Sequence, residues 1–299
     1  MNIQTSLTTN RLLIQPLTIN DSDFIFELVN TDGWIKFIGN RNVILKTEAT
    51  AYIQKIIDNP NTVYWVVKLK DNPISMGIIT LIKRDYLEHH DIGFAFLPKF
   101  SSNGYAYEAT NAVLKNVIRN YKLKYILATT VPENKNSIRL LEKLGLHFER
   151  EIKSNKEKSY IYRASTDKLS IDEITKLFYE VFENTNNRQP NWKLLNSLCV
   201  LEIMLTNKTE ISHTIYNLVS FIQPRQKILT DGTLTEFKEV ETQEQTKIIK
   251  NIAQRYSQYE KSGMLEGKLF KQKGYKFFQF VKTNEGWKIS SVIWEDENN

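Results

Sequence analysis

The stretch from residue 91 to residue 146 constrains the fold more than any other part of the chain. Residues 91–97 (DIGFAFL) are typical of a β-strand, and a polar loop containing Gly104 leads into a helical run over residues 107–121. Residues 125–131 predict a second strand, which a polar turn connects to a helix that closes at Gly145. Two successive strand–loop–helix units predict a mixed α/β fold around a central sheet.

The segments before residue 91 extend this sheet. Residues 12–16, 63–69 and 74–82 predict strands, the last two joined as a hairpin by Asp71-Asn-Pro. Helices are expected from the polar residues at 18–23 through Val29, and over residues 47–58 with Thr47 as the N-cap. Residues 160–162 close the set as a final strand.

The remainder of the chain predicts a different architecture. Residues 171–184 have a helical apolar face and residues 192–198 predict a second helix, before several strand-like runs. The expected strands are 199–205, 214–221, 234–240, 270–281 and 287–294, whereas residues 246–259 suit either a helix or a strand. A helix pair followed by a curved antiparallel sheet defines an α+β domain. The polar, non-periodic residues 163–170 predict a linker, so the domains are expected at 1–164 and 165–299.

Length, cysteine content and charge agree with a two-domain, soluble protein. A chain of 299 residues exceeds the usual single domain, and its one cysteine, Cys199, excludes an internal disulfide framework. The start lacks the features of a signal peptide and no apolar run suits a membrane span, which predicts a cytoplasmic protein without membrane contact. The net charge of +6 lies entirely within residues 1–164. That excess suits an anionic cofactor or an ordinary lysine-rich surface, and no arginine-rich run indicates nucleic acid.

Two polar segments can carry chemistry. The helix after Gly104 would present unpaired N–H groups and the positive end of its dipole to a pyrophosphate. Ser102 and Asn103 would act as short polar caps. One glycine before a helix is also explained by an ordinary turn that binds nothing. Asn134 can cap the next helix or bond a cofactor amide, and Ser137, one turn further on, can hydrogen-bond a sulfur atom. Gly145 is a helix C-cap in either interpretation.

Together these segments resemble the GCN5-related N-acetyltransferase (GNAT) family, and within it the ribosomal-protein-alanine type. The similarity covers about residues 5–163 and rests on TNRLLI at 9–14, DIGF at 91–94, GYAYEA at 104–109, and Asn134-x-x-Ser137 followed by EKLG at 142–145. It implies acetyl-CoA as co-substrate, a primary amine on a small molecule or protein N-terminus as acceptor, and no metal. The residues it implies for cofactor binding are Phe96 and Leu97 through their backbone, Ser102, Asn103, Gly104, Tyr105, Ala106, Asn134 and Lys143.

Two positions depart from the family pattern. Ser101 stands where the family's loop often begins with Gln or Arg, and Leu141 stands where many members have a tyrosine general acid. Ser137, with Asn134 beside it, is then the remaining proton donor to the leaving thiolate. The expected base is Asp91, with Glu88 or water as alternatives.

A metal site at residues 89–91 is a less favoured interpretation. His89-His90 precedes Asp91, but no further ligand has suitable spacing. Residues 32–41, including Trp34, are expected to wall the acceptor site, although Trp34 suits core packing equally well.

The second part resembles the nuclear transport factor 2-like (SnoaL-like) superfamily of cone-shaped α+β domains. The resemblance rests on the opening helix, the curved sheet and the ending GWKISSVIWED at 286–296. It implies a ligand-binding or dimerising domain, with candidate residues at the mouth of the cone: Tyr216, Arg225, Arg255, Tyr256 and Tyr259. Two rival functions stay open: a CoA-binding sensor or scaffold with a degenerate acyltransferase site, and an activity located in the second domain.

Overall fold

A computed structural model describes residues 5–72, 74–154 and 157–297. It divides into two compact units, residues 1–166 and 167–299. The elements of the first unit are β1 (Leu7–Thr8), β2 (Leu12–Pro16), α1 (Ser22–Val29), α2 (Asp32–Phe37), α3 (Lys46–Ile57), β3 (Thr62–Leu69), β4 (Ser75–Ile82), β5 (Asp91–Phe96), α4 (Tyr105–Tyr121), β6 (Tyr125–Thr130), α5 (Lys135–Lys143), β7 (His147–Ser154) and β8 (Glu157–Ser165).

One mixed sheet organises the first unit. Its strand order is β1-β2-β3-β4-β5-β6-β8-β7, and β5 and β6 are its parallel neighbours. Six consecutive residues of β4 are buried, which is typical of a strand covered on both faces. Helices α1 and α3 pack against Val66 and Ile78 on one side, whereas α4 contacts β2, β4 and β5 through its own buried residues, Ala109, Val113 and Val117. The chain thus has the mixed α/β sheet that its sequence predicts.

Local details of the first unit differ from expectation. Helix α3 begins at Lys46 after Leu45, so Thr47 lies inside the helix and is not its cap. Helix α2 and strand β7 were not predicted as separate elements. Helix α4 begins at Tyr105, two residues earlier than the helical run in the sequence suggests.

The second unit is a sheet with helices. Its elements are α6 (Thr166–Glu180), α7 (Trp192–Leu198), β9 (Cys199–Lys208), β10 (His213–Tyr216), α8 (Leu218–Thr230), β11 (Leu234–Ile249), β12 (Ile252–Leu265), β13 (Lys268–Thr283) and β14 (Gly286–Asp296). The strand order is β10-β9-β14-β13-β12-β11, antiparallel except where β14 pairs with β9. Register shifts in β11 and between β13 and β14 mark β-bulges, which bend strands and raise their twist.

Two predictions for this part are wrong. Residues 214–221 do not form one strand, because β10 ends at Tyr216 and α8 begins at Leu218. Residues 163–170 are not an irregular linker either, since β8 runs directly into α6 at Thr166. The ambiguous segment 246–259 belongs to β11 and β12, which are joined at residues 250–251.

Candidate active site

A cleft opens between strands β5 and β6. Strand β5 pairs with β4 along its whole length, but in the described chain it meets β6 at one register position, Asp91 opposite Leu127. There the Leu127 amide donates to the His90 carbonyl at 2.9 Å. Strand β6 otherwise pairs with β8, on its far side. Two parallel strands that part after a single pair leave backbone groups of β5 facing an open, wedge-shaped gap.

The alternation of β5 shows which backbone groups face this cleft. The Leu97 amide donates to the Met76 carbonyl at 2.8 Å, and the Leu97 carbonyl accepts from the Phe100 amide at 3.0 Å. Both backbone groups of Leu97 therefore already have protein partners, which makes the predicted pairing of Leu97 with the cofactor less favourable. Because N–H and C=O groups alternate between the two edges of a strand, those of Phe94 and Phe96 point toward the cleft. Phe96 therefore stays a predicted cofactor-binding residue, and the backbone of Phe94 faces the same way.

Asp91 closes the narrow end of the cleft. Its carboxylate is only 3 % exposed; Oδ2 accepts from Arg84 Nε at 2.5 Å and Oδ1 from the Thr129 amide at 2.9 Å. Burial raises the pKa of Asp91 above its ordinary range, and the Arg84 charge and the hydrogen bonds offset part of that rise. The carboxylate thus bridges β5 and β6 where their backbone pairing stops. Glu88, the alternative base, is exposed.

A polar row lies on the same face of the sheet as Asp91. Tyr64, Thr80 and Gly93 are in register across β3, β4 and β5. A side chain at position 93 would place its Cβ 2.6 Å from Thr80 Oγ1, so only glycine leaves room for that hydroxyl. Burial, followed by the charge of Tyr52, raises the pKa of Tyr64 to about 12. Sequence reasoning missed this row, because its members are far apart in the chain and share only their register.

Trp34 belongs to the core and not to an open wall. It is 5 % exposed within the cluster formed by α1, α3 and the sheet. Its indole N–H has no hydrogen-bond partner in the described part of the chain, and Arg41 lies 5.8 Å from its ring centroid. Of the two interpretations left open for Trp34, the structure favours packing.

The loop that contains Gly104 leads into helix α4, whose N-terminus has no side-chain cap. Ser102 and Gly104 have positive φ values of 65° and 76°, and α4 starts immediately afterwards. The first intrahelical bond runs from the Glu108 amide to the Gly104 carbonyl, and no side chain caps this helix. The expected capping by Ser102 and Asn103 is therefore wrong; the Asn103 side chain donates through Nδ2 to the Ser101 carbonyl instead. The amides of residues 104–107 remain available to an anion.

Arg11 holds this loop in place. Its guanidinium donates to the Asn103 carbonyl at 3.1 Å and to Glu108 Oε2 at 2.7 Å, and it lies 4.5 Å from the Tyr105 ring centroid. Thr9 also donates to Glu108, at 2.5 Å. Thr9 and Arg11 are part of the motif on which the resemblance rests, but no local pattern indicates that they contact the loop nearly a hundred residues away.

The second polar segment forms the start of α5. Asn134 is the N-cap, and its Oδ1 accepts from the Ser137 amide at 3.2 Å. Both residues are partly exposed, and in the described residues no protein group bonds the Ser137 hydroxyl. Leu141 is 1 % exposed and packs in the core. Lys143 lies with its ammonium 4.5 Å from the Tyr107 ring centroid, so α5 brings a positive charge to the first turn of α4.

The two histidines before Asp91 pack against aromatic rings. His89 lies 5.1 Å from Tyr125 and His90 6.5 Å from Tyr121, centroid to centroid. Burial is the largest cause lowering the pKa of both. Across residues 5–72, 74–154 and 157–297, no group of three or more His, Cys, Asp or Glu side chains is arranged to hold a metal ion. No helix in these ranges is long and apolar enough to cross a membrane.

The residues expected at the mouth of the second unit divide into two groups. Arg225 and Tyr259 line a cavity of about 390 Å³. Arg255 lies elsewhere: it is 3 % exposed and bound to Asp172 and Glu241. Tyr256 stacks on Tyr275 and Tyr216 stacks on Trp294, and neither tyrosine is among the residues that line the cavity.

Comparison with known proteins assigns the first unit. The family profile described as "Acetyltransferase (GNAT) domain" matches residues 11–147. The Bacillus subtilis (strain 168) protein described as "Uncharacterized N-acetyltransferase YnaD" is 31% identical over 143 residues, which is 48% of this chain and 83% of that protein. The chain belongs to the GNAT family and carries an N-acetyltransferase domain.

Two further proteins are similar over the same half. "Uncharacterized protein YkkB" from Bacillus subtilis (strain 168) is 25% identical over 158 residues, 51% of this chain and 91% of that protein. A crystal structure of a GNAT-family acetyltransferase from Bacillus anthracis is 28% identical and covers 54% of this chain and 99% of its own, with a TM-score of 0.48.

Proposed function

We propose that the first unit transfers an acetyl group from acetyl-CoA to a primary amine. The observation that carries this proposal is the cleft between β5 and β6, which opens beside the uncapped N-terminus of α4. An extended amide-containing chain can pair with the free edge of β5 while its phosphates lie at the helix end. No other part of the described chain combines these two features.

Named residues would hold the co-substrate. The backbone groups of Phe94 and Phe96 would pair with the pantetheine arm, and the amides of residues 104–106 would bind the pyrophosphate. Ser102 and Asn103 would shape the loop rather than cap the helix, since Arg11 already fixes the Asn103 carbonyl. Lys143 would add positive charge near the same helix end.

Asn134 and Ser137 would act at the thioester sulfur of acetyl-CoA. Acetyl-CoA would supply an activated acyl group, whose C–S bond breaks as a C–N bond to the amine forms. The Ser137 hydroxyl has no protein partner in the described chain and would donate a hydrogen bond or proton to the thiolate. Asn134 would hold the first turn of α5, and with it Ser137, in place.

Asp91 would receive the proton that the amine loses. Burial raises its pKa, which makes the carboxylate a stronger base, and at the narrow end of the cleft Asp91 also hydrogen-bonds the Thr129 amide of β6. Tyr64 and Thr80 would face the acceptor on the same side of the sheet. Glu88 is less suitable because it is exposed.

A thiol-release assay tests this proposal. Acetyl-CoA is incubated with the full chain and a panel of primary amines, including polyamines, amino sugars and peptides with free N-termini. We expect release of free CoA thiol that depends on at least one amine, with an equal amount of acetylated product. Tight CoA binding without turnover on any amine would instead support a CoA-binding sensor or scaffold.

For the second unit we propose a nuclear transport factor 2-like fold with a ligand-binding role. Support comes from the helices α6, α7 and α8, the bulged sheet and the cavity that residues of α6, α8 and the sheet line. Under this proposal the domain boundary lies at about residues 164–165, the domain binds a ligand or dimerises, and the whole protein acts in the cytoplasm. Turnover by residues 165–299 alone would place an activity there instead.

A further inference from the structure

The cavity of the second unit is strongly apolar. Its volume of about 390 Å³ is within the range of small-molecule sites. Aromatic side chains from several elements line it, among them Phe178 on α6, Phe221 on α8, Phe237 on β11 and Trp294 on β14. Leu265, at the end of β12, also lines it and is 46 % exposed, so the cavity reaches the surface there. An apolar body of one or two rings is the kind of occupant that such walls favour.

Most of the polar groups in the cavity already have partners. The Tyr259 hydroxyl donates to the Asp296 carboxylate at 2.5 Å. The Tyr259 ring packs against Gly274, where a Cβ atom would lie only 2.4 Å from the phenol oxygen. Lys261 is paired with the same carboxylate at 2.6 Å. Lys276 and Glu239 form a second ion pair, and both side chains are less than 10 % exposed. In both ion pairs the lysine and the carboxylate neutralise each other. Neither pair therefore needs a charged group of a ligand.

Arg225 is different. Its guanidinium donates to the Phe221 carbonyl at 3.0 Å and lies 3.7 Å from the Phe221 ring centroid and 5.6 Å from that of Trp294. No carboxylate in the described chain lies within ion-pair distance of it. Burial lowers its pKa, although a guanidinium stays charged in proteins. It is therefore a partly desolvated cation whose partners are the Phe221 carbonyl, the Tyr216 side chain and aromatic rings, and none of these is a carboxylate.

The charges on this cavity leave a surplus of one cation. Arg225, Lys261 and Lys276 face two carboxylates, Glu239 and Asp296. A planar guanidinium binds a planar carboxylate through two parallel hydrogen bonds. A dianionic phosphate would bring more negative charge than the one unpaired cation balances.

We infer that this cavity binds a small apolar monocarboxylate, with its carboxylate paired to Arg225 and its body among the aromatic side chains. The inference rests on the proposed ligand-binding role of the second unit and is independent of acetyl transfer in the first. The competing explanation is that Arg225 only stacks on Phe221 and Trp294, a contact that needs no ligand.

Calorimetric titration of the full chain tests the inference. The probes are phenylbutyrate and its neutral isostere, phenylbutyramide. We expect the carboxylate to bind about tenfold more tightly than the amide, because a charge-assisted hydrogen bond contributes more than a neutral one. Arg225→Gln should remove that difference. The matched control Arg188→Gln should preserve it, because Arg188 pairs with Glu183 and does not line the cavity.

Each outcome decides something. Equal binding of the two probes, or an unchanged preference in Arg225→Gln, would overturn the carboxylate inference and leave the ligand-binding role standing. Binding of neither probe would overturn both. If Arg225→Gln does not fold, Leu265→Trp narrows the opening instead, and undiminished binding in that variant would show that the probes do not enter this cavity. Thiol release, measured on the same samples, reports the acetyltransferase site separately.

Discussion

Asp91 is the residue on which the proposed chemistry depends most. It is both a bridge between β5 and β6 and the candidate base, and these roles predict different consequences of its loss. A bridge holds the cleft open at a fixed width. A base must also change its protonation state during turnover, so its effect has to appear in the pH profile.

Asp91→Asn separates the two roles. The asparagine oxygen can still accept from the Thr129 amide, but it can neither accept a proton nor form the ion pair with Arg84. We expect kcat to fall about 10²-fold at neutral pH while the Kd for CoA is kept. Activity should recover partly at high pH, where more of the amine is already neutral.

The pH–activity profile of the wild-type protein should show the titration of Asp91. Activity should decrease as pH falls through the raised pKa of Asp91, because protonation removes the base. Loss of CoA binding in Asp91→Asn, without any change in the shape of the pH profile, would assign Asp91 to the bridge alone.

Ser137→Ala tests the proton donor. Removing the hydroxyl should lower kcat about 10- to 10²-fold with little change in KM, since the donor acts mainly as the thiolate forms. Asn136→Ala is the matched control, because Asn136 is exposed in the same turn of α5. Thiol release measures both variants. Equal rates for Ser137→Ala and the wild type would exclude Ser137 as the donor.

At the scale of elements, the loop before α4 has the clearest sequence signal. Gly104→Ala should destabilise the fold by about 1 kcal/mol, because φ is +76° there, and should weaken CoA binding by displacing the helix amides. Gly232→Ala is the control: φ is +89° and open space surrounds it, but it lies in the second unit. Denaturation and CoA titration distinguish the variants. Equal losses of CoA affinity in both would refute a local role for Gly104.

The elements that the sequence predicts best are those whose local and tertiary signals agree. Helix α7 and the glycine loop of α4 are examples. Residues 214–221 were predicted wrongly because Ile215, Val219 and Phe221 favour a strand by local propensity. The segment is helical instead, because Phe221 packs into the core and the Asn217 side chain caps the helix by accepting from the Ser220 amide. The Asn217-x-x-Ser220 spacing was a capping signal that could have corrected the prediction.

The site was less predictable than the elements. Gly104, Asn134 and Ser137 lie in local motifs, so the sequence points to them directly. The Arg84–Asp91 pair, the contact of Arg11 with Asn103, and the row through Tyr64 depend on which strands become neighbours. Strand order and register follow from the whole sheet, which no single segment determines.

At the scale of the whole molecule, stability depends on keeping both partners of the buried Lys276–Glu239 ion pair in the second unit. Lys276→Met should lower the free energy of unfolding by about 3–5 kcal/mol, because Glu239 would remain buried without its partner. The double variant Lys276→Met/Glu239→Leu should recover much of that loss. Urea denaturation measures the full set. A double variant that loses the sum of both single effects would contradict the coupling.

The same lysine predicts a pH dependence. Burial lowers the pKa of Lys276 to about 8, from 10.5 for an ordinary lysine. Between these values the unfolded chain binds more protons than the folded chain, so this group makes the free energy of unfolding rise with pH. Lys276→Met should remove that rise. An identical slope in the variant and the wild type would contradict the lowered pKa.

The central claim is that the cleft between β5 and β6 holds acetyl-CoA. A crystal structure of the full chain with CoA tests it most directly. We predict the pyrophosphate at the amides of residues 104–106, the pantetheine arm along Phe94 and Phe96, and the sulfur within hydrogen-bonding distance of Ser137. CoA bound elsewhere, or a sulfur atom that faces away from α5, would contradict the account.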